Sequence, residues 1–544
     1  ATYTDYIIAA ANPYAASAGA EIIARGGNAV DAAVATEAVL GLVEPQSSGL
    51  GGGGFLLFYD SAHLALTSYD GREIAPAATK ADQFLDDKGV PKPFLEQVLG
   101  GKSVGVPGLV AMLAAAHQAH GKLAWADLFA PAIALAEKGF VVSPRMHSKI
   151  SLVPSLKLQS AARNYFFDAK GEPIAAGTKL RNIAYAETLR AIAMDPGALN
   201  HGPIAQDIIA TAAQAPRNPQ SISSEDLGNY RPREREPVCA PYREYRVCSM
   251  GAPSSGGIAV LQTLTMLERF DFKKLGPRNA QSWHLITEAE KLAFADRAQY
   301  LGDPEFVHVP TAGLLNRNYL TSRSQLIDEM TASTGPRAAG VLPAAASCNC
   351  APDAAHEASG TSHFVIADRD GNVVSMTATV ESLFGSQMLI DGFVLNNELT
   401  DFSPLPTQGG RPVANAAMPG KRPLSSMAPT IVFDKSGRVV MAIGSAGGKR
   451  IIGFVVKTLI AVLDWDMTVR DAVDLSNVLN TNGSTEIEAG PEAADLATAL
   501  AAKGHKIRVT EGEESGLQGF LRTAAGYQGG ADRRREGIVA GGGH

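Results

Sequence analysis

Apolar positions recur along this chain with two different periods, and the change of period divides it. In the first part they return at steps of three and four, the spacing of one helix face. The stretch "GLVAMLAAAHQAHGKLAWADLFAPAIALAEKGF" (108–140) predicts two amphipathic helices, with Gly121 and Gly139 standing where C-caps would end them. A further long helix is predicted over "AQSWHLITEAEKLAFADRAQYL" (280–301). From about 334 to 360 the pattern fails in an Ala-, Pro- and Ser-rich segment ending in "EASG", and such a run inside a large domain is usually functional or disordered.

Beyond it the period drops to two. Ser362 to Asp368 and Val373 to Val380 read as strands joined by Asp370-Gly371, a strong hairpin signal. Pairing Arg369 with Asn372 places Ser362 opposite Thr379 with Thr361 beside it, a one-residue slip being possible. A second hairpin is predicted over "TIVFDKSGRVVMAIGSAGG" (430–448), turning at Asp434 to Gly437, followed by a buried helix in "KRIIGFVVKTLIAVL". Helices and strands followed by strands and helices predict layered α/β packing.

Composition narrows the class. The chain has 544 residues, 45% hydrophobic and 19% charged, as in ordinary globular proteins, and no repeat of solenoid period is visible. Its net charge of −7 argues against a nucleic-acid partner. The dense basic runs, "RPRERE" (231–236) and "DRRRE" (532–536), read as solvated surface because acidic residues interrupt them. No apolar run reaches the length of a membrane span; "AVDAAVATEAVLGLV" (29–43) comes nearest and carries Asp31 and Glu37. The chain opens at Ala1 without methionine, as a processed N-terminus would. Four cysteines fall in two close pairs, Cys239/Cys248 and Cys348/Cys350, neither with the spacing of a zinc site. Free thiols and a Cys239–Cys248 disulfide are both open. His117 and His120 lack a third ligand nearby and read as one polar helix edge.

Four stretches compete for the chemistry. "GLGGGGF" (49–55) lacks the helix start and acidic residue of a dinucleotide loop, and reads as backbone packed tightly against a neighbour. "GSAGGKR" (444–450) has the wrong spacing for a phosphate loop, yet keeps a strand, a glycine turn and a helix start, the geometry that aims free N–H groups of an oxyanion hole. "KRPLSSMAPT" (421–430) holds a serine pair between prolines, alone more often a turn than a site. Thr361 is the fourth. Inside a chain its hydroxyl is a poor nucleophile; at a chain N-terminus it would sit beside its own amine, of pKa near ~8, which can act as base. A scissile Gly360–Thr361 bond would account for a flexible Ser-Gly approach running into a rigid strand.

The strings "RGGNAVDAAVATEAVLGLVEPQSSGLGGGGF", "DGREIAP", "PSSGG", "AFADRAQYLGDP", "GTSHFVIADRDGNVVSMTAT", "FVLNNELTDFS", "KRPLSSMAPTI" and "GSAGGKRII" occur in order over almost the whole chain. Together they resemble the γ-glutamyltransferase family. The resemblance implies an N-terminal-nucleophile hydrolase with a four-layer α-β-β-α sandwich, made as a precursor that cuts itself. Residues 1–360 would be the large subunit and 361–544 the small one, with Thr361 first the autoprocessing residue and then the nucleophile. Arg72 matches the arginine holding a substrate α-carboxylate, and Asp401, helped by Glu398, matches the grip on the α-amino group. Ser425 and Ser426 line the same pocket, Gly447 and Gly448 are the oxyanion donors, and Thr379 bonds the nucleophile.

Two departures stand out. Glu381 occupies a position where many members have Asn beside the substrate carboxylate, so added negative charge is expected to weaken Arg72's hold or change the acyl group accepted. The segment 402–421 is shorter than in members with a lid and has no tyrosine, which implies an open mouth. The expected reaction is transfer of a γ-glutamyl group, as from glutathione, through a Thr361 ester to water or to an amino acid or peptide amine, without metal or organic cofactor. A glutaryl or cephalosporin acylase is the alternative within the fold, and an unprocessed binding protein the alternative outside it. Family habit and cysteine pairing imply a periplasmic or secreted location.

Overall fold

The period-two residues after 360 form the middle of a sheet. The computed structural model describes residues 1–343, 348–511 and 515–543. Among these, strands numbered in chain order build two seven-stranded antiparallel sheets. The first runs, edge to edge, β14 (Ile538–Gly542), β2 (Tyr6–Ala10), β8 (Gly360–Ala367), β9 (Val373–Glu381), β3 (Gly53–Asp60), β4 (Ala65–Asp70) and β5 (Arg233–Arg235). The second runs β1 (Thr2–Tyr3), β13 (Gly526–Ala531), β12 (Gln518–Thr523), β11 (Val439–Gly444), β10 (Thr430–Phe433), β7 (Tyr245–Ser249) and β6 (Val238–Tyr242).

The sheets face each other across a dry seam. Ile7, Leu57, Tyr59, Val365 and Val373 from the first meet Ile431, Phe433, Val439, Ala442 and Phe520 from the second. Burying each such side chain contributes about 1.5–3 kcal/mol. The outer face of the first sheet is covered by α1 (Pro13–Ala24) and α2 (Ala29–Val43), with α3 (Leu109–His120) and α4 (Ala130–Lys138) beyond them. The outer face of the second carries α5 (Gly256–Leu267), α6 (Ala280–Tyr300) and α7 (Ile451–Leu463). The result is a four-layer α-β-β-α sandwich, as the resemblance implies.

Local rules account for these elements. Gly121 and Gly139 end α3 and α4, and α6 and α7 fall where the periodicity places them. The apolar stretch at 29–43 is α2, buried at every position and started by a capping box in which Asn28 and Asp31 satisfy each other's backbone N–H. No helix among the described residues is long and apolar enough to cross a membrane. His117 bonds the Leu123 carbonyl and His120 the Tyr69 hydroxyl, so both serve packing of α3.

The β8–β9 hairpin corrects the expected register by one residue. Asp368 N–H bonds the Asn372 carbonyl, and the Asp368 side chain accepts from the N–H of Asp370 and Asn372. The loop is therefore three residues, with Gly371 at φ 84°, and Ala367 pairs with Val373. Carried outward, this sets Thr361, not Ser362, opposite Thr379.

Two further expectations change. "DRRRE" is not solvated surface: Asp532 and Arg535 are buried, and Arg534 pairs with Glu488 and Asp532. "RPRERE" keeps exposed charges on the edge strand β5, apart from Arg235, which bonds Asp70 at 2.7 Å. Both cysteine pairs are disulfides, Cys239–Cys248 across β6 and β7 and Cys348–Cys350 within its loop.

Candidate active site

The site is built at the open end of the β8–β9 hairpin. Pairing of β8 to β2 begins only at Phe364, so Gly360 and Thr361 project past that neighbour. Gly360 pairs with Glu381 and Thr361 with Thr379, which leaves Val380 as a bulge. Val380 N–H bonds the Ser47 carbonyl instead, and its own carbonyl accepts from Asn397 N–H. Bulges bend a strand and re-aim its side chains, and this one turns two hydroxyls together beside the Gly360–Thr361 bond.

The hydrogens there can be assigned. Thr379 Oγ1 donates to the Gly360 carbonyl at 2.7 Å and accepts from Glu381 N–H at 2.8 Å. A carbonyl cannot donate, so Thr379's one proton is committed. In the Thr361 Oγ1–Thr379 Oγ1 contact of 3.2 Å, Thr361 is therefore the donor. Thr379 thus polarises the Gly360 carbonyl while orienting the hydroxyl beside it. Gly360 is required by space: a Cβ there would stand 2.4 Å from the Ser382 carbonyl oxygen and 2.6 Å from that of Glu381. Arg535 reaches in from the second sheet's end, its Nη1 2.7 Å from the Thr361 carbonyl and its Nη2 3.5 Å from that of Ser359.

Gly447 and Gly448 form the turn between β11 and α7, with φ values of 137° and 61° that side chains resist. Neither N–H has an acceptor among the described residues, as an oxyanion hole requires. A Cβ on Gly448 would stand 2.5 Å from the Ala358 carbonyl oxygen, so the segment ahead of Thr361 lies directly against this turn. "GLGGGGF" packs as expected: a Cβ on Gly52 would stand 2.0 Å from the Thr379 carbonyl oxygen.

Two ion clusters flank this centre. In the first, Glu398 and Asp401 lie on one 3₁₀ turn, whose i and i+3 side chains eclipse, and both face Arg72. Arg72 Nη2 reaches Asp401 at 2.6 Å, Nη1 bonds Glu398, and Nε and Nη2 also bond the carbonyls of Pro423 and Leu424. Burial pulls the Arg72 pKa down, but Glu398, Asp401 and Glu73 outweigh it and raise it above its ordinary value. Burial pushes Glu398 up and Asp401 and Glu73 well up. Ser425 spends its hydroxyl on Met427 N–H, and its carbonyl accepts from Ser255.

In the second cluster, Arg297 of α6 donates through Nε to Ser255 Oγ at 2.7 Å and through Nη2 to Ser426 Oγ at 2.9 Å and to the Glu357 carboxylate. Glu381 bonds Ala358 N–H at 2.6 Å, Ser382 Oγ at 2.6 Å and Asn397 Nδ2 at 2.5 Å. Its φ of 80° is strained for a side-chain-bearing residue, and burial with Glu398 nearby raises its pKa. Glu381 therefore grips the segment ahead of Thr361 rather than facing open space.

The structure thus brings Arg72, Glu398 and Asp401 together, sets Ser426 beside Arg297, and gathers Gly360, Thr361, Thr379 and Glu381 at the head of β8. Sequence reasoning did not single out Arg297, Asn397, Glu73 or Arg535. Arg297 lay inside the quoted "AFADRAQYLGDP", where a charge on a helix buried all round was the available signal. The 402–421 segment holds a small hairpin, Thr407–Gln408 against Arg411–Pro412, whose base Asn415 pins by bonding the Asp401 carbonyl at 2.7 Å.

Comparison with known proteins follows this geometry. Residues 15–542 match the family described as Gamma-glutamyltranspeptidase. The "Glutathione hydrolase proenzyme" of Bacillus subtilis (strain 168) is 36% identical over 546 aligned positions, 99% of this chain and 91% of that protein. A cephalosporin acylase from Bacillus halodurans superposes with a TM-score of 0.85 at 27% identity, covering 100% of this chain and 97% of that one. A chain of Helicobacter pylori gamma-glutamyltranspeptidase gives a TM-score of 0.57 at 33% identity, with 91% of that chain matching 59% of this one.

Proposed function

The chain belongs to the gamma-glutamyltranspeptidase family and is an enzyme of the N-terminal-nucleophile type, and from that premise we propose that it cuts itself between Gly360 and Thr361 and then transfers γ-glutamyl groups. The single observation that carries the proposal is the Thr361–Thr379–Gly360 hydrogen-bond chain. In the first reaction Thr361 Oγ1 attacks the Gly360 carbonyl carbon, whose oxyanion Thr379 stabilises. The C–N bond breaks, the hydroxyl proton passes to the Thr361 nitrogen, and an ester links Gly360 to Thr361 Oγ1. Water hydrolyses the ester, leaving a Gly360 carboxylate and a free Thr361 amine. Residues 1–360 become the large subunit and 361–544 the small one.

In the second reaction the new amine, of pKa near ~8, takes the hydroxyl proton as Oγ1 attacks the γ-carbonyl of a glutathione-like amide. Gly447 and Gly448 receive the oxyanion, and the amine leaves with a proton. Water or an amino acid or peptide amine then resolves the γ-glutamyl ester. Asp401 and Glu398 hold the α-ammonium, and Arg72, with Ser425 and Ser426 lining the pocket, serves the α-carboxylate. The word "proenzyme" in the relative's name and the partial match to the Helicobacter pylori chain support the cut. Both disulfides fit an oxidising, extracytoplasmic compartment.

Likeness to the cephalosporin acylase, together with Glu381, favours a second reading in which the acyl group is glutaryl. A denaturing gel and an anilide assay test the proposal together. Wild-type protein should give bands of roughly two thirds and one third of the 56.9 kDa chain. It should also release aniline faster from γ-glutamyl than from glutaryl anilide, and faster again with glycylglycine. Glutaryl preference would select the second reading; an intact, active chain would refute the nucleophile.

A further inference from the structure

The two disulfides do different mechanical work. Cys239–Cys248 joins the neighbouring strands β6 and β7, nine positions apart, whereas Cys348–Cys350 closes a ring over the single residue Asn349. The chain entropy that a cross-link removes falls with the number of residues enclosed, so the second bond braces the fold least. It also stands nearer to solvent. Asn349 is exposed and Cys348 half-buried, while Cys248 is fully buried in the seam between the sheets. A disulfide that stabilises little and is reachable from water is suited to exchange rather than to bracing.

What the ring touches gives exchange a consequence. Directly after Cys350, Ala351 N–H bonds the Pro412 carbonyl at 2.8 Å, the Pro352 carbonyl accepts from Gln408 Nε2 at 3.2 Å, and the Asp353 carboxylate accepts from Asn415 Nδ2 at 3.1 Å. These three bonds stitch the loop to the small hairpin of the mouth, whose Asn415 also holds the Asp401 carbonyl. On the other side Cys348 Sγ lies 3.6 Å from the Gln299 carbonyl oxygen of α6, so the thiol that reduction leaves has an acceptor within reach.

We propose that Cys348–Cys350 is a thiol-exchange site, opened by small thiols of the glutathione and cysteinyl-peptide class, and that its opening loosens the mouth hairpin tied to Asp401. The inference rests on the reading of the donor as a glutathione-like amide, for such a donor carries a thiol and its leaving amine keeps it. A thiolate attacks Cys348 Sγ, forming a mixed disulfide as the S–S bond breaks with its electron pair on Cys350 Sγ. A second thiolate attacks the sulfur of the bound thiol, releasing a small-molecule disulfide and leaving Cys348 reduced. Two thiols are thereby oxidised to one disulfide, and the protons they lose end on the two cysteine sulfurs. Without the ring, residues 348–350 regain backbone freedom next to the three bonds that hold the hairpin.

Wild type is incubated with cysteinylglycine, and Thr361→Ala with glutathione so that the thiol is not consumed; free cysteines are then alkylated and located by peptide mass spectrometry. Cys348 and Cys350 should open at least about 10-fold faster than Cys239 and Cys248, and S-methylglutathione, which has no thiol, should open neither bond. For the consequence, wild type opened with cysteinylglycine, trapped by alkylation and desalted, is assayed with γ-glutamyl anilide beside a Cys348→Ser/Cys350→Ser variant checked for cutting on a gel. Both should show KM raised about 3- to 10-fold with kcat within about 2-fold of untreated wild type, and thiol should change the variant no further. A Cys348–Cys350 bond that opens no faster than Cys239–Cys248, or an opened wild type with unchanged KM, would overturn the proposal, and neither readout needs the variant to fold. Failure of the underlying reading looks different: wild type would stay one chain or favour glutaryl anilide, while exchange at Cys348 would still be read on the peptides.

Discussion

Arg72 and Arg297 are both buried arginines, each held by carboxylate and serine or carbonyl oxygens, yet they are neutralised by different parts of the chain. Arg72 is closed by Glu398 and Asp401, which belong to the permanent wall. Arg297 is closed by Glu357, which belongs to the segment just ahead of the proposed Gly360–Thr361 cut. A permanent network costs desolvation once and then fixes geometry. One made by the segment ahead of Thr361 would last only as long as that segment stays in place. Position relative to the proposed cut, more than charge or burial, separates the two.

The largest expected effect removes the event that distinguishes them. Thr361→Ala should stay a single 56.9 kDa chain and lose on the order of 10⁴-fold in kcat/KM, because nucleophile and base vanish together. Arg297 would stay on Glu357 and Arg72 would be unchanged. Next, Asp401→Asn breaks the permanent cluster only. It should cost about 10²–10³-fold in kcat/KM for γ-glutamyl anilide, through lost ammonium binding, while cutting proceeds, as a gel run beside the kinetics would show.

Thr379→Val touches neither cluster but delays the contrast between them. Removing the donor to the Gly360 carbonyl should slow self-cleavage about 10²-fold, measured as band intensity against time after synthesis. The smallest effect lies away from the site, in α2. Burial without a charged partner pushes Glu37 up to about 8 from an ordinary 4.5. A carboxyl raised on folding stabilises fully below its unfolded value, and that contribution is lost as pH rises from 4.5 through about 8. Glu37→Gln should therefore melt above wild type by a gap that widens from pH 5 to 8, then levels at roughly a few degrees.

Much of the architecture was legible because periodicity and turn chemistry are local. α3, α4, α6, α7 and both hairpins follow from spacing and glycine placement. The hairpin register was not, since it depends on the Asp368 side chain choosing a three-residue loop over Asp370-Gly371. "DRRRE" was misread for a related reason: its burial arises from the β13–β14 connection passing the head of β8, a contact between distant parts of the chain. Within the site, motif order pointed to Arg72, Glu398 and Asp401, which meet. Glu381 shows the limit. Its substitution for Asn was visible, but its grip on Ala358 comes from the Val380 bulge, which no local pattern encodes.

The first sheet interleaves the two proposed fragments, for β2 lies hydrogen-bonded between β14 and β8 while β9 lies between β8 and β3. Once the link ahead of Thr361 is severed, neither piece can leave without tearing ladders on both flanks, so the mature enzyme should hold together at any dilution. Unfolding it erases that advantage. Two separate polypeptides would then have to meet before either could complete a sheet, making recovery second order in concentration, whereas an uncut molecule regains its shape alone.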